Sequence, residues 1–213
     1  MQKILIVSSK GGCGKSTIAT NLAVALAAQG RRLWLVDADA QGSALEWARA
    51  RAQQAPTIPV LASPDLGHGS ARNWSLSIPP LTETLVIDTP AGLRSHQLAE
   101  YLRRVDTVLV PLLPSAIDLR ASAAFLHELS QSAMVRSGQL QVGLIANRIK
   151  ARTIAARDLG EHCAGLPFPL LAQLRDSQAY VLAGLLGRGL FDSSFQRMTA
   201  VREDWLPLLR WLG

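Results

Sequence analysis

Cysteine, lysine and aromatic side chains are scarce in this chain of 213 residues: two cysteines, four lysines and an aromatic content of 5%. Cys13 and Cys163 lie far apart, which excludes a disulfide framework and a clustered cysteine–zinc site and points to a reduced compartment. The four histidines (His68, His96, His127 and His162) show no ligand spacing to one another or to the cysteines. No apolar run reaches the ~18 residues needed to span a bilayer. The N-terminal "MQKILIVSS" runs straight into an apolar strand, so no signal peptide is expected and the expected location is cytoplasmic. Charged residues make up 18% against 48% hydrophobic, which excludes a disordered, solvating chain.

Positive charge is present, but it is mostly arginine. Eighteen arginines and four lysines give a net charge of +6, a balance that favours a polyanionic partner. Against that background, two of the four lysines fall in one ten-residue stretch, "SSKGGCGKST", at Lys10 and Lys15.

Short apolar runs recur at 4–7, 33–36, 85–87, 108–110 and 142–146. They do not alternate with polar residues, as expected of strands covered on both faces. Between them, Ile18, Leu22 and Leu26 repeat at helical spacing, with Gly30 as the stop. Residues 43–54 and 116–134 read as two further helices. Residues 56–82 carry five prolines and read as a short strand at 58–61 followed by loop, and the C-terminal segment as a helix interrupted or restarted near Pro207. Strand and helix in alternation predict an α/β fold: a doubly wound, mostly parallel sheet with helices on both faces, in one domain spanning 1–213.

A glycine-rich loop between a buried strand and a helix N-terminus gathers backbone N–H groups around an anion, and the glycines let phosphates approach the backbone. Here Gly11, Gly12, Cys13 and Gly14 would line the phosphates. Lys15 would reach the β- and γ-phosphates, the Ser16 hydroxyl would bind Mg²⁺, and Thr17 would donate near the α-phosphate. The general pattern G-x-x-x-x-G-K-[ST] is incomplete, because its first glycine would fall at Ser9.

"KGGCGKST" resembles the deviant Walker A motif of the ParA/MinD ATPase superfamily, and the chain is most similar to the small ParA-type partition ATPases. The resemblance implies a P-loop NTPase in which Lys10 reaches across an ATP-sandwich dimer to the partner's nucleotide while Lys15 acts in cis. "VDADAQGSALEW" (36–47) resembles switch I, with Ala40 in place of the usual proline; Asp39 would orient the attacking water and Asp37 would lie near Mg²⁺. "LVIDTPAG" (85–92) resembles Walker B and switch II, with Asp88 holding Mg²⁺ through water. "VPLLPSAIDL" (110–119) resembles the next family loop, near the dimer face. "IANR" (145–148) resembles the strand end that reads adenine, which makes Asn147 the base-recognition candidate. "LRDSQAYVLAGLLGRGLFD" (174–192) resembles the segment after the sheet, an arginine before a helix and a glycine turn after it.

The implied function is a slow Mg²⁺-dependent ATPase that forms a homodimer on ATP, binds DNA without sequence preference and is nucleoid-associated. It would partition or position a plasmid or chromosome, with a ParB-type or small DNA-binding adaptor stimulating hydrolysis. Arg148, Lys150, Arg152 and Arg157 cluster within ten positions, and Arg188, Arg197 and Arg202 follow, so residues beyond 148 are where phosphate contacts are expected. No helix-turn-helix precedes the P-loop strand, so operator recognition is not expected. Two alternatives keep the ATPase and change its attachment. One is a ParA-like ATPase positioning a protein cargo. The other is a MinD-like ATPase on a membrane, attached through Trp205, Leu208, Leu209 and Trp211; Glu203, Asp204 and a proline within that tail favour a packed helix instead. An iron–sulfur reductase resembling the nitrogenase iron protein needs two bridging cysteines after Walker B, and only Cys163 is present.

Overall fold

The computed structural model describes residues 1–51, 56–62, 78–192 and 198–213. His68, Arg197, residues 52–54 of the expected second helix and most of the proline-rich loop lie outside the described residues.

Seven strands form one parallel sheet in the order β3-β2-β4-β1-β5-β6-β7. They are β1 (Gln2–Ile6), β2 (Leu33–Asp37), β3 (Val60–Ala62), β4 (Thr84–Asp88), β5 (Thr107–Leu112), β6 (Gln141–Ile149) and β7 (Leu170–Arg175). Helices α1 (Lys15–Ala28), α2 (Ser43–Arg51) and α3 (Ser95–Leu102) follow β1, β2 and β4. After β5 come α4 (Ala116–Gln131) and the short α5 (Ala133–Arg136); α6 (Ile154–Ala164) follows β6. The chain ends with α7 (Gln178–Leu185), α8 (Thr199–Glu203) and α9 (Leu206–Leu212).

Two apolar layers result. Successive strand residues point to opposite faces, so Ile4 and Ile6 join α1, α2, α7 and α9 in one core, while Leu5 and Val7 join α3, α4 and α6 in the other. Both faces of the sheet are therefore covered, as unbroken apolar runs require. The expected helix over 116–134 is two helices, because Ser132 leaves helical geometry at ψ 131° and caps α5. Gly30 takes φ +86°, a left-handed conformation that costs glycine little and ends α1 as expected.

The C-terminal tail is packed. Pro207 occupies the first turn of α9, where its missing N–H has no intrahelical partner to lose. Trp205 and Leu208 are fully buried, Leu209 and Leu212 nearly so, and the Trp205 indole donates to the Tyr180 hydroxyl at 3.0 Å. These side chains belong to the core rather than to a membrane-facing surface. No helix among the described residues is long and apolar enough to cross a membrane.

α2 is fixed at its far end by a buried ion pair. The Arg51 guanidinium donates to both Asp192 oxygens, at 2.8 and 2.9 Å, and to the Gly187 carbonyl at 3.1 Å. Trp47 donates from its indole to the Arg188 carbonyl at 2.9 Å. Asn21 of α1 accepts from the Leu190 N–H at 2.9 Å. The 187–192 turn thus ties the two helices that begin at the glycine loop and at the Asp37–Asp39 turn. Gly187 takes φ +60°, and a Cβ there would collide with the Ala50 and Arg51 backbone.

Candidate nucleotide site

The glycine loop lies where the strand order reverses. β1 is flanked by β4 on one side and β5 on the other, and in open parallel sheets the crevice at the carboxyl ends of such strands is the usual ligand site. Register brings the acidic residues there too. Asp88 pairs with Ile6 across β4–β1 and with Asp37 across β4–β2, so three adjacent strands end level at the loop.

Gly12 and Gly14 have φ +77° and +91°, conformations that Cβ-bearing residues rarely adopt. A side chain at Gly14 would also run into the Asn147 amide. Gly14 caps α1, whose first turn carries no acidic residue, so the positive end of the helix dipole is left for a ligand anion. Lys15 opens that helix, is nearly buried, and donates from Nζ to the Ser8 hydroxyl at 3.3 Å. A buried ammonium at a helix N-terminus, with a neutral hydroxyl partner, suits a phosphate.

Asp88 is fully buried, and neither carboxylate oxygen has a hydrogen-bond partner. Burial pushes its pKa up to about 7. The Ser16 hydroxyl and Lys15 ammonium oppose the shift without forming a hydrogen bond of normal geometry, and the nearby Asp37 adds to it. An orphaned carboxylate beside a serine hydroxyl, at the mouth of an anion cradle, fits the hard oxygen donors that Mg²⁺ requires. Because the folded pKa is raised, the contribution of Asp88 to folding is full only below its ordinary value of 3.8 and is lost as pH rises from there to about 7. Asp88→Asn should therefore raise the Tm of the nucleotide-free chain, by clearly more at pH 8 than at pH 5. Calorimetry at the two pH values checks this.

Asp37 adjoins Asp88, and its oxygens also accept from the Asp39 N–H at 3.1 Å and the Leu45 N–H at 2.9 Å. It shapes the turn and the start of α2; burial raises its pKa, and the bonds from Leu45, Asp39 and Ala44 oppose that. Asp39 is half-buried and accepts from the Gln41 N–H at 3.0 Å, closing the same turn without a proline at position 40. Asn147 is buried and committed to the loop: its amide donates to the Cys13 carbonyl at 2.7 Å and accepts from the Arg148 N–H at 2.9 Å. A second amide hydrogen and a second oxygen lone pair remain for a base. The hollow beside it is lined by Gly14, Thr17, Arg175, Asp176 and Tyr180.

Lys10 lies outside the Lys15 cluster. Its ammonium is 3.4 Å from Asp118 in the first turn of α4, with side chains 42% and 30% exposed. Sequence reasoning did not single out Asp118, nor Ser8, whose hydroxyl bonds three loop residues. The Pro90–Gly92 segment closes over the same loop: Thr89 donates to the Ile6 carbonyl at 2.8 Å and Gly92 N–H to the Ser8 carbonyl at 3.3 Å.

The family described as the CobQ/CobB/MinD/ParA nucleotide binding domain matches residues 4–188. "Maintenance of carboxysome distribution protein A" from Halothiobacillus neapolitanus is 30% identical over 202 residues, 94% of this chain and 91% of that protein. The apo McdA structure from Cyanthece superposes with a TM-score of 0.72 at 18% identity, over 100% of both chains. The septum site-determining protein MinD from Pyrococcus horikoshii, complexed with Mg-ADP, gives 0.69 at 19% identity over 100% of this chain and 96% of that one. The two structural likenesses concern the fold.

Proposed function

This chain belongs to the CobQ/CobB/MinD/ParA nucleotide-binding domain family, and from that premise we propose that it is a Mg²⁺-dependent ATPase that dimerises around ATP to position a protein assembly. The observation that carries the switch is the separation of the two loop lysines: Lys15 buried at the α1 N-terminus, Lys10 half-exposed and paired with Asp118.

Lys15 and the α1 N–H groups would hold the β- and γ-phosphates, with Gly11, Gly12, Cys13 and Gly14 forming the cradle and Thr17 at the α-phosphate. Ser16 and Asp88 would hold Mg²⁺, which neutralises charge on the phosphates. Asp39 would orient the attacking water, and Asn147 would recognise the base. Turnover is slow because positioning and electrostatics supply most of the rate. The Lys10–Asp118 pair is exposed enough to contribute ~1 kcal/mol or less, so the clustered negative charge of a partner's triphosphate draws Lys10 away from it. ATP then favours the dimer because the contact exists there alone.

The cargo reading follows the carboxysome-distribution relative, which matches nearly end to end. It supports the positioning of a protein assembly over plasmid or chromosome partition. A cargo-bound adaptor stimulating hydrolysis completes the cycle, and the nucleoid is the matrix. Arg148, Lys150, Arg152 and Arg157 support the matrix reading: all are exposed, at the end of β6, on the turn after it and at the start of α6, with Arg148 and Arg152 held at φ +55° and +63°. Dimerisation doubles these cations on one particle.

An electrophoretic shift with arbitrary duplex DNA tests this, comparing ADP with a non-hydrolysable ATP analogue at two salt concentrations. Retention is expected with the analogue alone and weakens steeply with salt, by a slope of about 0.9 per phosphate contacted. The combined replacement of Lys150, Arg152 and Arg157 by alanine should flatten the slope by up to roughly three contacts per protomer. Binding that ignores the nucleotide would remove the switch from the proposal.

A further inference from the structure

Ser8 was not among the residues that the glycine-loop pattern marks, yet its hydroxyl is the most connected polar group in that loop among the described residues. It is 4% exposed. Its Oγ donates to the Lys10 carbonyl at 2.7 Å. It accepts from the Lys15 ammonium at 3.3 Å and from the Cys13 thiol at 3.0 Å. A serine hydroxyl has one hydrogen and two lone pairs, so these three contacts saturate it. One side chain therefore joins the backbone of the first loop lysine to the ammonium of the second, and gives the Cys13 thiol its role as third spoke.

Resting on the nucleotide-site reading above, we infer that Ser8 is a positioning residue for nucleotide binding that holds the Lys15 ammonium in place from beneath the loop. An ammonium has three donors. With one spent on Ser8, the remaining two are aimed without a rotamer search when phosphate arrives, which removes part of the ordering cost of binding. The bond to the Lys10 carbonyl fixes the loop on the other side, so the two lysines share one brace. The Cys13 thiol is a weaker donor than a hydroxyl or an ammonium and trims the hydroxyl's orientation rather than setting it.

The experiment is titration of Mg-ADP into the full chain and its Ser8→Ala, Ser8→Thr and Cys13→Ala variants, with Tm measured without nucleotide. Ser8→Ala should raise the Kd for ADP about tenfold, the scale of one lost hydrogen bond to a charged group. Its Tm should shift far less than that loss would suggest. Ser8→Thr keeps the hydroxyl and should restore affinity to within about twofold, which a purely structural role would not produce. Cys13→Ala should fall between wild type and Ser8→Ala. Wild-type protein that fails to bind Mg-ADP defeats the nucleotide reading itself. Wild-type binding with equal affinity in Ser8→Ala defeats the role of Ser8 alone. If Ser8→Ala does not fold, Cys13→Ala decides: an unchanged Kd there overturns the brace.

Discussion

Lys15→Ala is expected to abolish nucleotide binding, with Kd for ADP or ATP rising by at least about a hundredfold, the cost of two charge-assisted hydrogen bonds to phosphate. Lys15 opens α1 and is 7% exposed. The first turn of α1 contains no carboxylate, so the helix dipole and this ammonium act on the ligand together. Removing the ammonium leaves backbone N–H groups to bind several negative charges alone. Lys15→Arg should fail nearly as badly, because a planar guanidinium is bulkier than an ammonium and donates in a fixed fork. Calorimetric titration checks both, and Tm without nucleotide should stay close to wild type, since the side-chain hydrogen bond lost is the 3.3 Å contact to Ser8. Affinity retained in Lys15→Ala would count directly against a phosphate site at this loop.

What could be read in the sequence tracks how local each signal is. The apolar runs of β1, β2, β4, β5 and β6 announced strands because each is covered on both faces, and Ile18, Leu22 and Leu26 announced α1 because they share one stripe in the core. β7 was harder: at the sheet edge its burial alternates along "LLAQLR", so no unbroken run appears. α6 buries only Leu159 and Cys163, too few to set a period. The short strand expected at 58–61 forms at Val60–Ala62, where pairing with β2 rather than local preference sets its limits. The segment after β7 behaves as its pattern suggested, with Arg175 before α7 and Gly187 in a left-handed turn after it.

The site divides in the same way. The placement of Gly12, Gly14 and Lys15 was legible because a strand–loop–helix turn around an anion demands those residue types at that spacing, and that of Asp88 because an apolar strand carries it to the sheet edge. The strand-end position of Asp37 was legible, but its second part was not: it accepts from the Asp39 and Leu45 N–H groups and so shapes the turn into α2. The amide of Asn147 reaches a loop 134 positions away, a contact that no local pattern encodes. Asp118 and Ser8 were invisible for a related reason. Serine before a loop and aspartate in a first helical turn are ordinary, and only the fold brings them to Lys10 and Lys15.

The second large effect concerns Lys10. In a two-fold dimer every interface contact occurs twice, so in the proposed dimer one substitution would remove two lysine–phosphate contacts. Losing one buried, charge-assisted interfacial contact costs ~2–5 kcal/mol, and losing two should weaken the ATP-bound dimer by a factor of roughly a thousand or more. The nucleotide affinity of the single chain should be nearly unchanged, because Lys10 pairs with Asp118 while Lys15 pairs with Ser8. The most direct measurement is analytical ultracentrifugation of wild type and Lys10→Ala, each saturated with a non-hydrolysable ATP analogue or with ADP. The expected result is a dimer for wild type with the analogue and monomers in the other three samples. A wild-type chain that stays monomeric with the analogue, or a Lys10→Ala chain that dimerises as wild type does, would contradict a switch built on Lys10 reaching its partner's nucleotide.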